Sequence, residues 1–405
     1  MTQTRSGMAH LGTQRVGADL LEEMTAWRRH LHAHPELGFE EHDTTAFIRS
    51  LLDEWGLPFD APLSTATVAH ARGQIPGPVL VVRADIDALP IQEENKVSYA
   101  STRPGVMHAC GHDGHTAILL GLAKLLSRRR DRLRGEIRLL FQPAEELADG
   151  GAEKVIEAGA VNGAMAVVGL HLSSNLDTGL IGLSDGAIMA SDDRFDITIV
   201  GNAGHASSPH QTTDALTIAA GLVSQLQTLV SRRIDPLSPA VVTVGSLHAG
   251  DAYNAIPGEA RLSGTVRTLS PATRDLLETE LVGLTRGYAA AHHAKAEVAY
   301  HRGSPPLINH SKVVEFARPA AEAAVGAHRV ASRPPGMGAE DFAFYGEHLP
   351  SAFALIGAAT ETSFPHHHPR FDINEQALAV GLRFLQHLVE RWAGPDTPAP
   401  DLHLS

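Results

Sequence analysis

The stretch Val79-Leu80-Val81-Val82, running directly into Arg83-Ala84-Asp85-Ile86-Asp87, decides the fold class. A short, continuous apolar run bounded by charge reads as a strand buried on both faces, the habit of parallel sheets, with carboxylates at its C-terminal end. Two later segments follow the same plan. Ile137, Leu139 and Phe141 alternate as a strand that Pro143 stops, delivering Glu145 and Glu146 into a loop. Val167 to Leu170 is another buried run, followed by His171. A helix is expected from Thr116 to Leu126, and Leu20, Met24, Trp27 and Leu31 recur at helical spacing over residues 19–32. Acidic and histidine residues therefore stand just past the ends of core strands, the edge at which open α/β sheets bind ligands.

Between about residues 191 and 303 the pattern changes. Phe195, Ile197 and Ile199 alternate as a strand, and Asp214 to Val230 is helical. Val241 to Leu247 and Arg261 to Arg267 are strands, Pro271 to Ala291 a helix, and Ala296 to Arg302 a last strand. The order β-α-β-β-α-β is that of a ferredoxin-like split unit. The expected architecture is a large α/β domain in two segments, residues 1–190 and 304–393, interrupted by a small α+β domain over 191–303. A proline-rich, flexible tail is expected over 394–405.

Composition limits the function. The 405 residues carry 33 Lys+Arg against 46 Asp+Glu, a net charge of −13 that would repel a phosphate backbone, so no nucleic-acid partner is expected. No stretch approaches the ~20 apolar residues of a membrane span, and Met1 to Asp19 lacks the apolar core of a signal peptide. With one cysteine there can be no internal disulfide, and a cytoplasmic protein without membrane contact is the expectation. The same cysteine, among 24 histidines, matters more as a metal ligand.

It lies in Met107-His108-Ala109-Cys110-Gly111-His112-Asp113-Gly114-His115, just ahead of a helix. A thiolate and an imidazole two residues apart on an extended loop can both turn toward one ion, and a helix N-terminus favours the thiolate. Glu145 and Glu146 are neighbours whose side chains diverge, so one can bind metal while the other faces substrate as a general base. His171 and one imidazole of His366-His367-His368 complete a set with Cys110, His112 and Glu146. That is more donors than one closed tetrahedral site uses, and it suits two ions sharing a bridging group. Ions ~3.5–4 Å apart can hold a hydroxide between them and polarise a carbonyl, which is hydrolytic chemistry. Thiolate and imidazole suit Zn, Co or Ni, and carboxylates tolerate Mn. Gly182-Leu183-Ser184-Asp185-Gly186 matches the nucleophile-elbow pattern, but a strand rather than a helix is expected next, so Ser184 is read as a turn residue.

With these residues in place the sequence resembles the dinuclear metal-dependent amidohydrolases and peptidases that include hippurate hydrolase, aminoacylases and indole-acetyl-amino-acid hydrolases and, more distantly, glutamate-releasing carboxypeptidases. The matching stretches run in order from Arg29-His30-Leu31-His32 and Pro35-Glu36-Leu37, through Arg83 to Pro90, His108 to His115 and Phe141 to Glu146. They continue with Gly204-His205-Ala206, Asn254-Ala255-Ile256-Pro257, Gly264 to Arg267, Glu340-Asp341-Phe342 and His367 to Asp372. The resemblance implies two divalent ions held by Cys110, His112, Glu146, His171 and His367, with Cys110 as the bridge, Glu145 as general base and Asp87 orienting a ligand. His367 is chosen over its neighbours on the family's spacing of histidine, one residue, then proline. It further implies that the inserted domain is a lid and a surface for homodimer or homotetramer formation. On it His205, reaching across from the partner subunit, stabilises the oxyanion, and Asn254, Arg267 and Arg302 are candidates for holding the substrate carboxylate. The implied reaction cleaves the amide of N-acyl or N-aroyl amino acids, with a dipeptidase or carboxypeptidase of the same chemistry, or a non-catalytic metal-dependent binder of amino-acid conjugates, as alternatives.

Overall fold

The computed structural model describes residues 17–394, so all but the first residue of the expected tail lies outside the described residues. The chain forms two compact units. One runs up to Gly186 and adds Asn309–Arg333 and the chain from Tyr345; the other is Ala187–Ile308 with Pro334–Phe344. The second unit is thus wider than 191–303 and takes in a return segment with no periodicity of its own. Backbone bonds hold that segment, with Gly336 N–H donating to Ile188 O at 2.9 Å and Ala190 N–H to Gly338 O at 2.8 Å.

In the first unit the chain begins with α1 (Ala18–Ala33) and α2 (His42–Glu54), then forms β1 (Thr67–Arg72), β2 (Ile75–Asp85), α3 (His112–Ser127), β3 (Arg134–Gln142) and β4 (Ala166–Ser173). β2 lies between β3 and β4, parallel to both, and β1 closes against β3 in antiparallel fashion. Leu80, Val81 and Val82 are inaccessible to solvent, as a strand covered on both faces requires. α3 is apolar nearly all round because it too is buried, from Thr116 to Ala123 without interruption. It starts at His112, four residues ahead of the expected Thr116. Gly111, at φ +94°, turns the chain sharply, and its carbonyl accepts from Gly114 N–H and His115 N–H at 2.9 and 3.0 Å. Gly114 allows this first turn to lie against β4, since a Cβ there would stand 2.4 Å from Leu172 Cδ1. β4 likewise runs past its expected end and includes His171.

The second unit contains β5 (Asp193–Val200), α4 (Ala215–Arg233), β6 (Ala240–His248), β7 (Glu259–Thr268), α5 (Pro271–Ala291) and β8 (Lys295–Arg302). The sheet order is β6-β7-β5-β8, antiparallel throughout, so β7 splits the β5-α4-β6 crossover in the expected ferredoxin-like manner. Asp214 is the cap of α4 rather than its first residue, accepting from Thr217 N–H at 3.1 Å. Phe195, Ile197 and Ile199 pack on Leu222 and Leu226 of α4 and on Leu277 and Leu281 of α5. The chain then returns to the first unit through α6 (Ser311–Val325), β9 (Ser351–Gly357) and α7 (Gln376–Ala393), with β9 parallel to β4. No described helix is long and apolar enough to cross a membrane.

The second unit is pinned by a buried ion pair. Asp193 accepts from Arg274 Nη2 at 2.6 Å and from Tyr300 OH at 2.8 Å, joining β5, α5 and β8. Asp193→Ala would strand a buried guanidinium. Urea unfolding should show a loss of about 3–5 kcal/mol, and a loss under about 1 kcal/mol would mean the pair holds nothing together.

Candidate metal centre

The parallel strands deliver their side chains to one edge of the first unit. Asp85 ends β2 with Asp87 just beyond, Glu145 and Glu146 follow β3, His171 lies near the end of β4, and the histidine triplet follows β9. Cys110 and His112 enter this edge from the turn that opens α3. Donor atoms of Cys110, His171 and His366 lie within 4.8 Å of one another; the same holds for Cys110, Glu146 and His367, and for His112, Glu145 and Glu146. The structure therefore gathers every residue read as a ligand, together with the residue read as the base. Cys110 is common to two of the sets.

Backbone partners fix the histidine tautomers, because a carbonyl can only accept and an amide N–H can only donate. His112 Nδ1 donates to Asp87 O at 2.9 Å, leaving Nε2 buried and without a hydrogen-bond partner. His171 Nδ1 donates to Leu172 O at 2.9 Å, and its Nε2 lone pair faces Cys110 Sγ at 3.4 Å. In both rings Nε2 turns toward the cluster with the other nitrogen anchored, the orientation in which a cation could replace a proton on Nε2. His115 is spent otherwise: Nε2 accepts from Leu172 N–H at 2.8 Å and Nδ1 donates to Asp85 at 2.6 Å.

The triplet divides by the same argument. His366 Nε2 accepts from Ser174 N–H at 3.4 Å, so Nδ1, 3.8 Å from Cys110 Sγ, carries the proton and points an N–H at the sulfur. Burial and the neighbouring His171 and His115 push this ring down to about 2, so it stays neutral. His367 instead turns Nε2 toward Glu146 Oε1 at 3.2 Å, and that hydrogen bond to the carboxylate raises its pKa. His367 could bind an ion with Cys110 and Glu146, while His366 is a donor to the sulfur that sequence reasoning did not separate from it.

Charges around the donors fit a divalent cation. Burial, with Glu146 adding to it, drives the Cys110 thiol well above its usual range. Burial alone would lower His112, but Asp85, Asp87 and Cys110 outweigh it and hold the ring well above an ordinary imidazole. Asp85 is buried, which would raise it, yet His112, His115 and Arg83 keep it well below the carboxylate range. A buried thiol, a buried imidazole whose Nε2 has no partner and two half-buried carboxylates form a site whose charge balance a bound cation would complete. Asp87 also accepts Glu146 N–H at 3.0 Å, in keeping with an orienting role.

The remaining candidates lie in the second unit and divide into two groups. Gly204–His205 and Ala255–Ile256 pair as a short ribbon, with Ala255 opposite His205 and Ala206 N–H donating to Asn254 O at 3.1 Å. His205 and Asn254 are thus brought together beyond the C-terminal end of β5. His205 Nδ1 accepts from Ser207 N–H at 3.1 Å, which leaves an exposed Nε2–H as donor. Arg267 and Arg302 sit at the opposite end of β5, beside Asp193 in the register. Arg302 is paired with Asp275 at 2.7 Å and Glu278, both on α5, and Arg267 is 2.9 Å from Asp192. Asn254, Arg267 and Arg302 therefore do not converge on one carboxylate, and the fork of Arg302 is already occupied. Ser184 bonds its hydroxyl to the backbone of Arg333, as a turn residue would.

Residues 81–391 match the model of Peptidase family M20/M25/M40. The chain is 43% identical over 373 residues to N-acetyl-L-cysteine deacetylase of Bacillus subtilis, covering 92% of this chain and 88% of the relative. It is 48% identical over 300 residues to N-acyl-L-amino acid amidohydrolase of Geobacillus stearothermophilus, covering 74% and 81%. A solved Bacillus subtilis structure, described as a dinuclear metal-binding peptidase from the M20 family, superposes with a TM-score of 0.82 at 37% identity, covering 92% of this chain and 98% of that one.

The division within the triplet can be checked by counting ions per chain by mass spectrometry after loading with Zn²⁺ or Mn²⁺. His367→Ala is expected to lose an ion and Cys110→Ala to lose both, whereas His366→Ala, giving up an N–H···S contact and the acceptor of Ser174 N–H, keeps the wild-type count. Loss of an ion from His366→Ala would reverse the assignment.

Proposed function

The chain belongs to Peptidase family M20/M25/M40 and is a metal-dependent amidohydrolase; from that premise we propose that it hydrolyses N-acyl or N-aroyl amino acids to a carboxylic acid and a free amino acid. Names of relatives acting on N-acetylcysteine and on N-acyl-L-amino acids support this substrate class. The observation that carries the reading is the adjacent carboxylate pair, with Glu146 Oε1 at 3.2 Å from His367 and Glu145 Oε2 at 3.9 Å from His112. One carboxylate sits among the ligands while its neighbour borders them, and a protein that only bound conjugates would have no use for the second.

Cys110, His112, Glu146, His171 and His367 would hold two divalent ions of the Zn, Mn, Co or Ni kind, which would supply an activated water and a polarised amide carbonyl. Glu145 takes a proton from the attacking water and returns it to the leaving amine, so that a poor leaving group departs neutral. His205, as the Nε2–H tautomer, donates to the oxyanion that forms as the carbonyl carbon becomes tetrahedral. The second unit serves as a lid and as the surface of a homodimer or homotetramer, a role its fully exposed Tyr253 fits.

Glu145→Gln keeps the shape of the side chain and removes its basicity. It should retain both ions and lose about 10²–10⁴-fold in kcat on N-acetyl or N-benzoyl amino acids. Near-normal turnover with metal in place would remove Glu145 from the mechanism. A panel of N-acyl amino acids against dipeptides, on apo-protein reloaded with each ion in turn, separates the proposed substrate class from a dipeptidase.

A further inference from the structure

The turn that presents Glu145 is held from both sides by carboxylates distant in sequence. On the far side, Asp87 accepts Glu146 N–H at 3.0 Å. On the near side, Glu41, inaccessible to solvent, accepts Ala144 N–H through Oε1 at 2.8 Å. Ala144 is buried at φ +54°, a left-handed conformation uncommon for a residue with a Cβ. Its carbonyl is occupied as well, accepting from Gly151 N–H at 2.9 Å. The turn carrying Glu41 packs directly on this one, since a Cβ at Gly38 would stand 3.0 Å from Ala144 Cβ and 2.9 Å from Leu147 Cδ1.

We propose that Glu41 is a positioning residue for the reaction: by anchoring Ala144 N–H it holds the left-handed turn that aims the Glu145 carboxylate. This rests on the reading of Glu145 as general base. Without the anchor, the buried Ala144 N–H has no acceptor, and the backbone is free to relax toward negative φ. Either change redirects the side chain that follows. Burial, with Asp87 nearby, raises the Glu41 carboxyl to about 7. A carboxyl oxygen accepts an N–H in either protonation state, so the anchor requires reach and an acceptor rather than charge.

That distinction gives the test. Glu41→Gln keeps reach and loses charge; Glu41→Asp keeps charge and loses reach; Glu41→Ala loses both. Ions per chain, kcat and KM are measured for each, with Glu145→Gln alongside. The expected result is two ions in every variant, kcat lowered about 10–100-fold in Glu41→Asp and Glu41→Ala with KM within about twofold, and kcat within about threefold of wild type in Glu41→Gln. Wild-type kcat in Glu41→Asp, or a loss in Glu41→Gln as large as in Glu41→Asp, overturns the proposal. If the two shorter variants do not fold, Glu41→Gln decides alone, and a fall of about tenfold or more with both ions bound counts against it. An active Glu145→Gln would overturn the general-base reading and this proposal with it. An inactive Glu145→Gln beside a wild-type-like Glu41→Asp would overturn this proposal only.

Discussion

A guanidinium sealed from water ties together two of the segments that carry the clustered donor side chains of the first unit. Arg28, on α1, donates from Nε to Asp113 at 2.8 Å and from Nη2 to Asp372 at 2.6 Å. Asp113 directly follows His112 at the start of α3, and Asp372 closes the loop that contains His366 and His367. One cation therefore fixes the separation of two segments that have no local reason to meet. Burial would raise the Asp113 carboxyl, but Arg28 and His32 outweigh it and hold it well below the usual range. A buried pair of this kind is weak evidence for stability and better evidence for geometry, because a guanidinium fork meets its carboxylates only in set directions. An ammonium in its place would keep the charge and lose those directions.

Much of the fold was legible because burial leaves a mark on sequence. The run at Val79–Val82 is continuous because the strand is covered on both faces, and the alternation at Phe195, Ile197 and Ile199 marks a sheet with one wet face. Less legible was the start of α3. Its first turn holds His112, Asp113 and His115, which are polar yet buried, so periodicity of apolar residues could not include them. The return segment Pro334–Phe344 was invisible for a different reason. It joins the second unit by backbone bonds to residues near Met189, and backbone bonds leave no trace in side-chain pattern.

The site was legible as a list of donors and not as a set of roles. Clustering of Cys110, His112, Glu145, Glu146 and His171 at one edge of the parallel strands followed from topology. Which nitrogen of each ring carries a proton did not, since that depends on partners such as Ser174 N–H, 192 residues away from His366. His366 and His367 are chemically identical neighbours, and their different partners, a backbone N–H for one ring and a carboxylate for the other, give them different chemistry. The arginines show the converse. Arg302 suits a carboxylate by residue type, but α5 brings Asp275 and Glu278 to it first. Residue type says what a side chain can bind, and topology says what reaches it.

Ala144 brings these levels together. Glycine would adopt φ +54° freely, so the presence of alanine needs a physical account. Holding a residue with a Cβ in this region costs on the order of 1–3 kcal/mol, and leaving the buried Ala144 N–H without its acceptor would cost about 1–3 kcal/mol as well. With glycine the turn would sit in the same place at rest yet wander among many others, since glycine also populates the rest of the map. With alanine and Glu41 together, few backbone states remain, and those that do place Glu145 beside His112 and Glu146. The strain is thus the counterpart of rigidity: the same Cβ that disfavours the turn removes most of the alternatives to it.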